Sequence, residues 1–275
     1  MVFESLITPR RAERHPWEML FLGFLYASIA MALSLWIFKD HAGLISVFFT
    51  VMSCIPLMYN TLKMEEEKVE YFSEERTLLK EHSRALMFFV FLFIGMTLAF
   101  SLWYVAMPDE LSKSVFSVQS NTIVDINANA GSGLNLFSTI FFNNLKVLTF
   151  SLLFSFLFGS GAIFILTWNA SIIAVAMGGL IESNVLASTS NTILAHAGGF
   201  GYAMLRYFIH GIPEITAYFV AALAGGIISF AIIRRDVMTK NFQKIAFDTS
   251  NLIILSIILL IISGLIETYI TPILI

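Results

Sequence analysis

Charged residues are scarce in this sequence, and their scarcity argues against a soluble fold. They make up 13% of the 275 residues, whereas 57% are hydrophobic. A soluble domain carries about 25% charged and about 45–50% apolar residues. The mean hydropathy is +0.82, and the net charge of −3 argues against nucleic acid as a partner. The composition predicts an all-α polytopic membrane protein in contact with the lipid bilayer.

Cysteine and the common catalytic motifs are also nearly missing. The single cysteine, Cys54, lies inside an apolar run, which excludes a disulfide framework and a cysteine metal site. The sequence has no HExxH motif and no recognisable nucleophile motif. No small-residue cleavage site follows the first apolar run, so this run is predicted to be a retained span rather than a signal peptide.

What the sequence does have is long apolar runs. About 20 apolar residues in a row can cross the hydrocarbon core of a bilayer. Seven runs of this kind are present, at 17–38, 43–62, 85–107, 137–158, 162–180, 213–233 and 252–271. An eighth candidate, 193–209, is shorter and contains three glycines and Arg206.

The positions of the basic residues decide how the eighth candidate is interpreted. Three basic clusters precede the first run, separate the second and third runs, and follow Ile233. Short loops rich in Lys and Arg stay cytoplasmic, and seven spans place all three clusters there. The N-terminus is then cytoplasmic and the C-terminus external. The stretch near 193–212 is predicted to be a re-entrant or interfacial segment on the outer side.

This topology divides the chain into three parts. Residues 1–107 form an N-terminal three-span part with a cytoplasmic helical hairpin at 63–84, and residues 136–275 form a four-span core. The external loop 108–135 between them is rich in Ser and Asn and is expected to be irregular. The hairpin is expected to be solvated, with the i,i+3 ion pairs Glu65–Lys68 and Glu81–Arg84. The hairpin and the external loop are candidate surfaces for protein partners. Small residues at Ala221 and Gly225 favour close helix packing, or alternatively a homo-oligomer interface.

Polar side chains recur within the apolar core, mostly at the outer side of the predicted spans. A charged side chain at the bilayer centre costs about 2.5–3.5 kcal/mol on insertion scales, so these groups need partners. Pro213 is expected to begin the sixth span, with a break in the helix before it. The candidate polar cluster comprises Asn143, Asn144, Asn169, His210, Glu214 and Glu267.

Several interpretations of this cluster remain open. The asparagines are suited to capping or bridging helices, and Glu267 alone is suited to facing interfacial water. His210 and Glu214 are suited to bonding each other as a structural lock. His210, Glu214 and Glu267 together have the ligand types of a metal site. The sequence identifies no cofactor.

Three stretches together resemble the stage II sporulation protein M family: FFNNLKVLTFSLLFSFLFGSGAIFILTWNASIIAVAMG, HGIPEITAYFVAALAGG and SGLIETYITP. The N-terminal HPWEMLFLGFLYASIA and CIPLMYNTLKMEEEK are similar to the archaeal branch of that family. The resemblance implies that the family member in spore-forming bacteria anchors cell-wall hydrolases at the engulfing septal membrane, a role that does not carry over to this chain automatically. What it implies for this chain is the set of motif residues Asn143 or Asn144, Asn169, His210, Gly211, Glu214 and Glu267.

Three functions follow from the cluster and the resemblance together. The first is a membrane scaffold or assembly factor whose polar cluster is a structural lock. The second is an intramembrane metal-dependent hydrolase, with Glu214 or Glu267 as general base and His210 as a ligand. The third is a transporter of an ion or lipid, although no inverted repeat is recognisable.

Overall fold

The computed structural model describes residues 7–71, 75–128, 133–159, 161–187, 192–233 and 240–274. These residues are helical almost throughout and contain no strand. Short turns of other helix types lie at Lys39–His41 and Ile266–Ile270. The helices are α1 (Pro9–Arg14), α2 (Glu18–Ile37), α3 (Ala42–Tyr71), α4 (Glu75–Ala106), α5 (Asp109–Val115), α6 (Ser117–Ala128), α7 (Leu134–Phe158), α8 (Ala162–Ala187), α9 (Thr192–Ile233), α10 (Lys240–Leu265) and α11 (Thr271–Leu274).

Seven helical segments among the described residues are long and apolar enough to cross a membrane. They are Glu18–Ile37, Lys39–Lys68, Glu81–Ala106, Leu134–Phe158, Ala162–Ser183, His196–Ile233 and Phe242–Ile273. Each overlaps one of the seven runs predicted from the sequence, so the prediction of an all-α polytopic fold is confirmed. Large apolar side chains such as Phe21, Phe142 and Ile254 are exposed on the outside of the bundle, where a bilayer would cover them.

Helix α9 lies at the centre of the bundle and differs from the prediction. It runs without interruption for 42 residues and includes Pro213, so the predicted helix break before Pro213 is wrong. The stretch 193–212, predicted to be a re-entrant or interfacial segment, is part of this one helix. Pro213 lacks an N–H for the Ile209 carbonyl, which normally kinks or breaks a helix. Packing of α9 against α3, α4, α7, α8 and α10 outweighs this penalty. Ser263 also donates a 2.8 Å hydrogen bond to the adjacent His210 carbonyl.

The stretch expected to be an irregular loop, 108–135, is mostly helical. Helices α5 and α6 occupy it, and α6 packs against α8. Val115 and Phe116 are buried, and the Phe116 ring lies 5.5 Å from that of Tyr104. These apolar anchors explain why a stretch rich in Ser and Asn is held in helical form. Residues 129–132 of the predicted loop lie outside the described residues.

Helices α3 and α4 both continue into the predicted hairpin at 63–84, and its two predicted ion pairs are present. Glu65 lies 2.7 Å from Lys68 and Glu81 lies 2.9 Å from Arg84. The turn of the hairpin, residues 72–74, lies outside the described residues.

The small residues of α9 lie at close helix crossings, as the sequence predicts. A Cβ built on Gly226 would lie 2.7 Å from the Leu62 side chain, and one on Gly225 would overlap the Leu152 carbonyl oxygen. A second crossing was missed by the sequence reasoning. Gly23 of α2 and Gly95 of α4 each face a backbone carbonyl of the other helix, so these two helices pack backbone against backbone.

Candidate functional site

A cavity of about 210 Å³ lies between α6, α7, α8, α9 and the turn Ile266–Ile270 that follows α10. We call it the polar cavity. All six members of the polar cluster considered from the sequence line it: Asn143, Asn144, Asn169, His210, Glu214 and Glu267. The other lining residues are apolar apart from Tyr207. Residues from four separate parts of the chain therefore meet around one space large enough for several water molecules.

The continuity of α9 brings two of these side chains to the same face. Residues four positions apart in a helix lie one above the other, so His210 and Glu214 both face the polar cavity. Gly211 lines it as well, and a Cβ built there would meet nothing within 4 Å. The local structure that the sequence reasoning expected to be broken is what aligns these residues.

Glu214 accepts a hydrogen bond from a neutral donor. The hydroxyl of Tyr218 donates to its Oε1 at 2.8 Å, and Asn144 borders the same cavity from α7. Tyr218 is fully buried. The sequence reasoning missed Tyr218, although its position one helical turn after Glu214 is a usable signal.

A π-helical turn at Ile266–Ile270 positions Glu267. Such turns are rare and occur often at functional sites. Glu267 lines the polar cavity and lies close enough to Glu214 for the two carboxyl groups to interact electrostatically.

The imidazole of His210 contacts residues of α11 and of its own helix. Its Nδ1 lies 3.3 Å from the hydroxyl of Thr271, and the Tyr207 ring centroid lies 6.2 Å away. Arg206, one turn earlier in α9, is near enough to interact electrostatically with the imidazole. Among the hydrogen bonds of the described residues none joins His210 to Glu214, so the structural lock considered from the sequence is not formed.

The asparagines frame the cavity from α7 and α8. The amide of Asn169 donates 2.8 Å to the Ile165 carbonyl of its own helix, while Asn143 and Asn144 lie together on α7. Within the described residues no three or more His, Cys, Asp or Glu side chains, His210, Glu214 and Glu267 included, are grouped closely enough to hold a metal ion.

A second group of charged side chains lies at the opposite end of the bundle. We call it the ionic cluster: Glu13 of α1, Glu65 and Lys68 of α3, His82 of α4 and Asp248 of α10. Asp248 of α10 precedes Glu267 by 19 residues in the continuous helical stretch that α10 and the following π-helical turn form, which is about 28 Å at the helical rise. The ionic cluster and the polar cavity therefore lie at opposite ends of the helix bundle. We call these the cluster end and the cavity end.

The contacts of the ionic cluster are short and buried. Lys68 Nζ lies 2.6 Å from Glu13 and 2.7 Å from Glu65. His82 lies between two carboxylates, 2.6 Å from Glu65 and 3.4 Å from Asp248. Glu65 is 0% exposed and His82 is 1% exposed. Burial, followed by a hydrogen bond with Glu65, raises the pKa of Glu13 to about 7.

The sequence reasoning missed this cluster because it assigned Glu65 and Lys68 to a solvated hairpin. The pairing that it predicted between them is correct, but their burial comes from α1 and α10, which are distant in sequence. Asp248, an isolated acid ahead of the long apolar run of α10, is the one signal for it in the sequence.

Fold and composition together define an integral, polytopic α-helical membrane protein. The family model described as stage II sporulation protein M (SpoIIM) matches residues 85–272. The match covers more than half of the chain, and the chain belongs to this family. The matched range contains every polar residue of the cavity. It begins after four residues of the ionic cluster, Glu13, Glu65, Lys68 and His82. No curated protein and no solved structure matches the chain.

Proposed function

We propose that this membrane protein binds a ligand with a cationic group in the polar cavity. The observation that carries the proposal is the composition of the wall. Two carboxyl groups and three carboxamides surround an open space of about 210 Å³, and no Lys or Arg is among the described residues that line it. Carboxylate and amide oxygens accept hydrogen bonds from an ammonium group.

The partners of the two glutamates support this proposal. A carboxylate at membrane depth is unfavourable unless a cation or hydrogen bonds compensate it. The described side-chain hydrogen bond to Glu214 comes from a neutral donor, the hydroxyl of Tyr218, and Glu267 borders the same space. A bound ammonium group would supply the missing positive charge between them.

The distribution of charge indicates which side of the membrane the cavity faces. Basic residues are concentrated at the cluster end, before α2 and between α3 and α4. The positive-inside rule places that end in the cytoplasm. The N-terminus is then cytoplasmic, the C-terminus external, and the polar cavity receives its ligand from the outer side of the membrane.

Titration calorimetry of the purified protein with ethanolamine tests the proposal. Binding is expected, whereas ethylene glycol, which has a hydroxyl in place of the ammonium, is expected not to bind. The variant Glu267→Gln should lose most of the affinity because one of the two carboxylates is gone. Glu182→Gln is the matched control, since Glu182 lies on α8 outside the cavity lining. Equal binding of both compounds, or unchanged binding by Glu267→Gln, contradicts the proposal.

A second candidate, the scaffold or assembly role, is supported by a different surface. Helix α3 has 30 residues, about 45 Å at the helical rise, and so extends beyond a hydrocarbon core of about 30 Å. A groove of about 280 Å³ lies between its end and the N-terminal helix, lined by Arg10, Asn60, Lys63 and Glu67 among others. This mixed-charge groove is suited to a cytoplasmic protein segment.

A photo-crosslinking residue at position 60 tests the scaffold role in intact membranes, with position 142 on the exposed face of α7 as control. One discrete crosslinked protein at position 60 that is absent at position 142 supports the role. Identical patterns at the two positions contradict it.

A further inference from the structure

We infer that the cationic ligand is the headgroup of a membrane lipid with a primary ammonium, which reaches the polar cavity from the side of the bundle. The inference rests on the proposed function and specifies the ligand of the same site. The observation behind it is an apolar groove between α4, α8 and α9 that adjoins the polar cavity.

The groove and the cavity share part of their walls. Ile173, Tyr207 and Gly211 line both. The remaining residues of the groove are all apolar, and Ile212 is 43% exposed on the outer surface of the bundle. A ligand that contacts both must therefore have a polar, cationic part and an apolar part.

The groove itself encloses only about 10 Å³, which is room for about one water molecule. An acyl chain would therefore not enter it but would lie across its apolar mouth, on the exposed side of Ile212. The surrounding helix faces are apolar and would themselves contact lipid tails in a bilayer, so the membrane presents this kind of ligand directly at the opening.

Gly211 lies where the groove meets the cavity. The space beside its Cα is open, since a Cβ there would have no neighbour within 4 Å. A Cβ is therefore accommodated without displacing other residues, and a longer side chain would extend into the junction. Leucine is also a better helix former than glycine, so Gly211→Leu is expected to fold.

The charges around the junction match a zwitterionic phospholipid. Glu214 and Glu267 offer acceptors for the ammonium inside the cavity. Arg206 lies one helical turn from His210, near enough to interact electrostatically with the rings of His210 and Tyr207. In this inference its guanidinium pairs with the lipid phosphate, which a free ethanolamine lacks.

Binding of two probes separates the lipid inference from the proposed function. The probes are ethanolamine and a short-chain phosphatidylethanolamine. The control is phosphatidylglycerol of the same chain length, which keeps the phosphate but carries hydroxyl groups in place of the ammonium. Wild type should bind the first two and prefer phosphatidylethanolamine to phosphatidylglycerol by about tenfold or more. Gly211→Leu should lose most of the lipid affinity and keep that for ethanolamine. Arg206→Gln should weaken lipid binding alone.

Each other result has one meaning. Binding of ethanolamine without preferential binding of phosphatidylethanolamine overturns the lipid inference and leaves the proposed function standing. Unchanged lipid binding by Gly211→Leu overturns the inference of lateral access, as does equal loss of both probes. Failure of wild type to bind either probe overturns the proposed function itself.

Discussion

The polar cavity and the ionic cluster contain similar side chains but differ in how the protein compensates their charge. In the ionic cluster, Lys68 contacts two glutamates and His82 lies between two carboxylates. In the polar cavity, Glu214 is bonded by a neutral hydroxyl and Glu267 borders open space. The first arrangement needs nothing from outside the protein, whereas the second has acceptors and room for a cation.

This difference separates a structural role from a binding role. The cluster joins α1, α3, α4 and α10, so it ties the N-terminal helices to the C-terminal core. Neutralising the carboxylate of Glu214 or Glu267 would break no described ion pair between the helices that line the cavity. Substitutions in the ionic cluster should therefore lower stability more than ligand binding. Substitutions in the polar cavity should lower ligand binding more than stability.

The largest effect on stability is expected for Glu65→Ala. The change leaves Lys68 and His82 without a shared buried acceptor, and breaking a buried ion pair typically costs about 3–5 kcal/mol. The free energy of unfolding of the detergent-solubilised protein should fall by that order. Glu81→Ala is the matched control, since its partner Arg84 is exposed and such pairs contribute about 0.2–1 kcal/mol. Similar losses in both variants contradict a structural role for the cluster.

A smaller, pH-dependent effect is expected for Glu13→Gln. The pKa of Glu13 is raised from 4.5 to about 7, so the folded protein keeps its proton while the unfolded chain ionises. The contribution of Glu13 to stability is complete below about pH 4.5 and is lost as pH rises through about 7. The glutamine variant cannot titrate and retains groups that hydrogen-bond to Lys68 and Glu65.

Unfolding free energies measured across this pH interval check the prediction. Wild type should lose stability with rising pH more steeply than Glu13→Gln. Parallel curves for the two proteins contradict the shifted pKa.

The smallest effect on stability is expected for Glu267→Gln. The carboxylate takes part in no described ion pair, and glutamine has nearly the same shape, so the free energy of unfolding should change by less than about 1 kcal/mol. Circular dichroism melting in detergent measures it beside Glu65→Ala. A loss as large as that of Glu65→Ala would show that Glu267 is a structural group after all.

The spans and the polar positions were predictable because each depends on local composition. Long apolar runs predict the spanning helices, and a polar residue inside such a run, such as Asn169 or Glu267, is conspicuous in the sequence. Four features were not predictable, because packing of distant segments decides them: the passage of α9 through Pro213, the π-helical turn at Glu267, the helical form of 109–128 and the burial of Glu65. The sequence reasoning weighed the penalty of the proline correctly but had no measure of the five helices packed around it.

The most direct test compares ligand-induced stabilisation in three proteins. A ligand that binds only the folded state at 100 times its dissociation constant raises the unfolding free energy by about 2.7 kcal/mol. Saturating ethanolamine should give a shift of that size in wild type and in Glu81→Ala, and almost none in Glu267→Gln. An equal shift in all three proteins, or no shift in any, would contradict a cation-binding cavity bounded by Glu267.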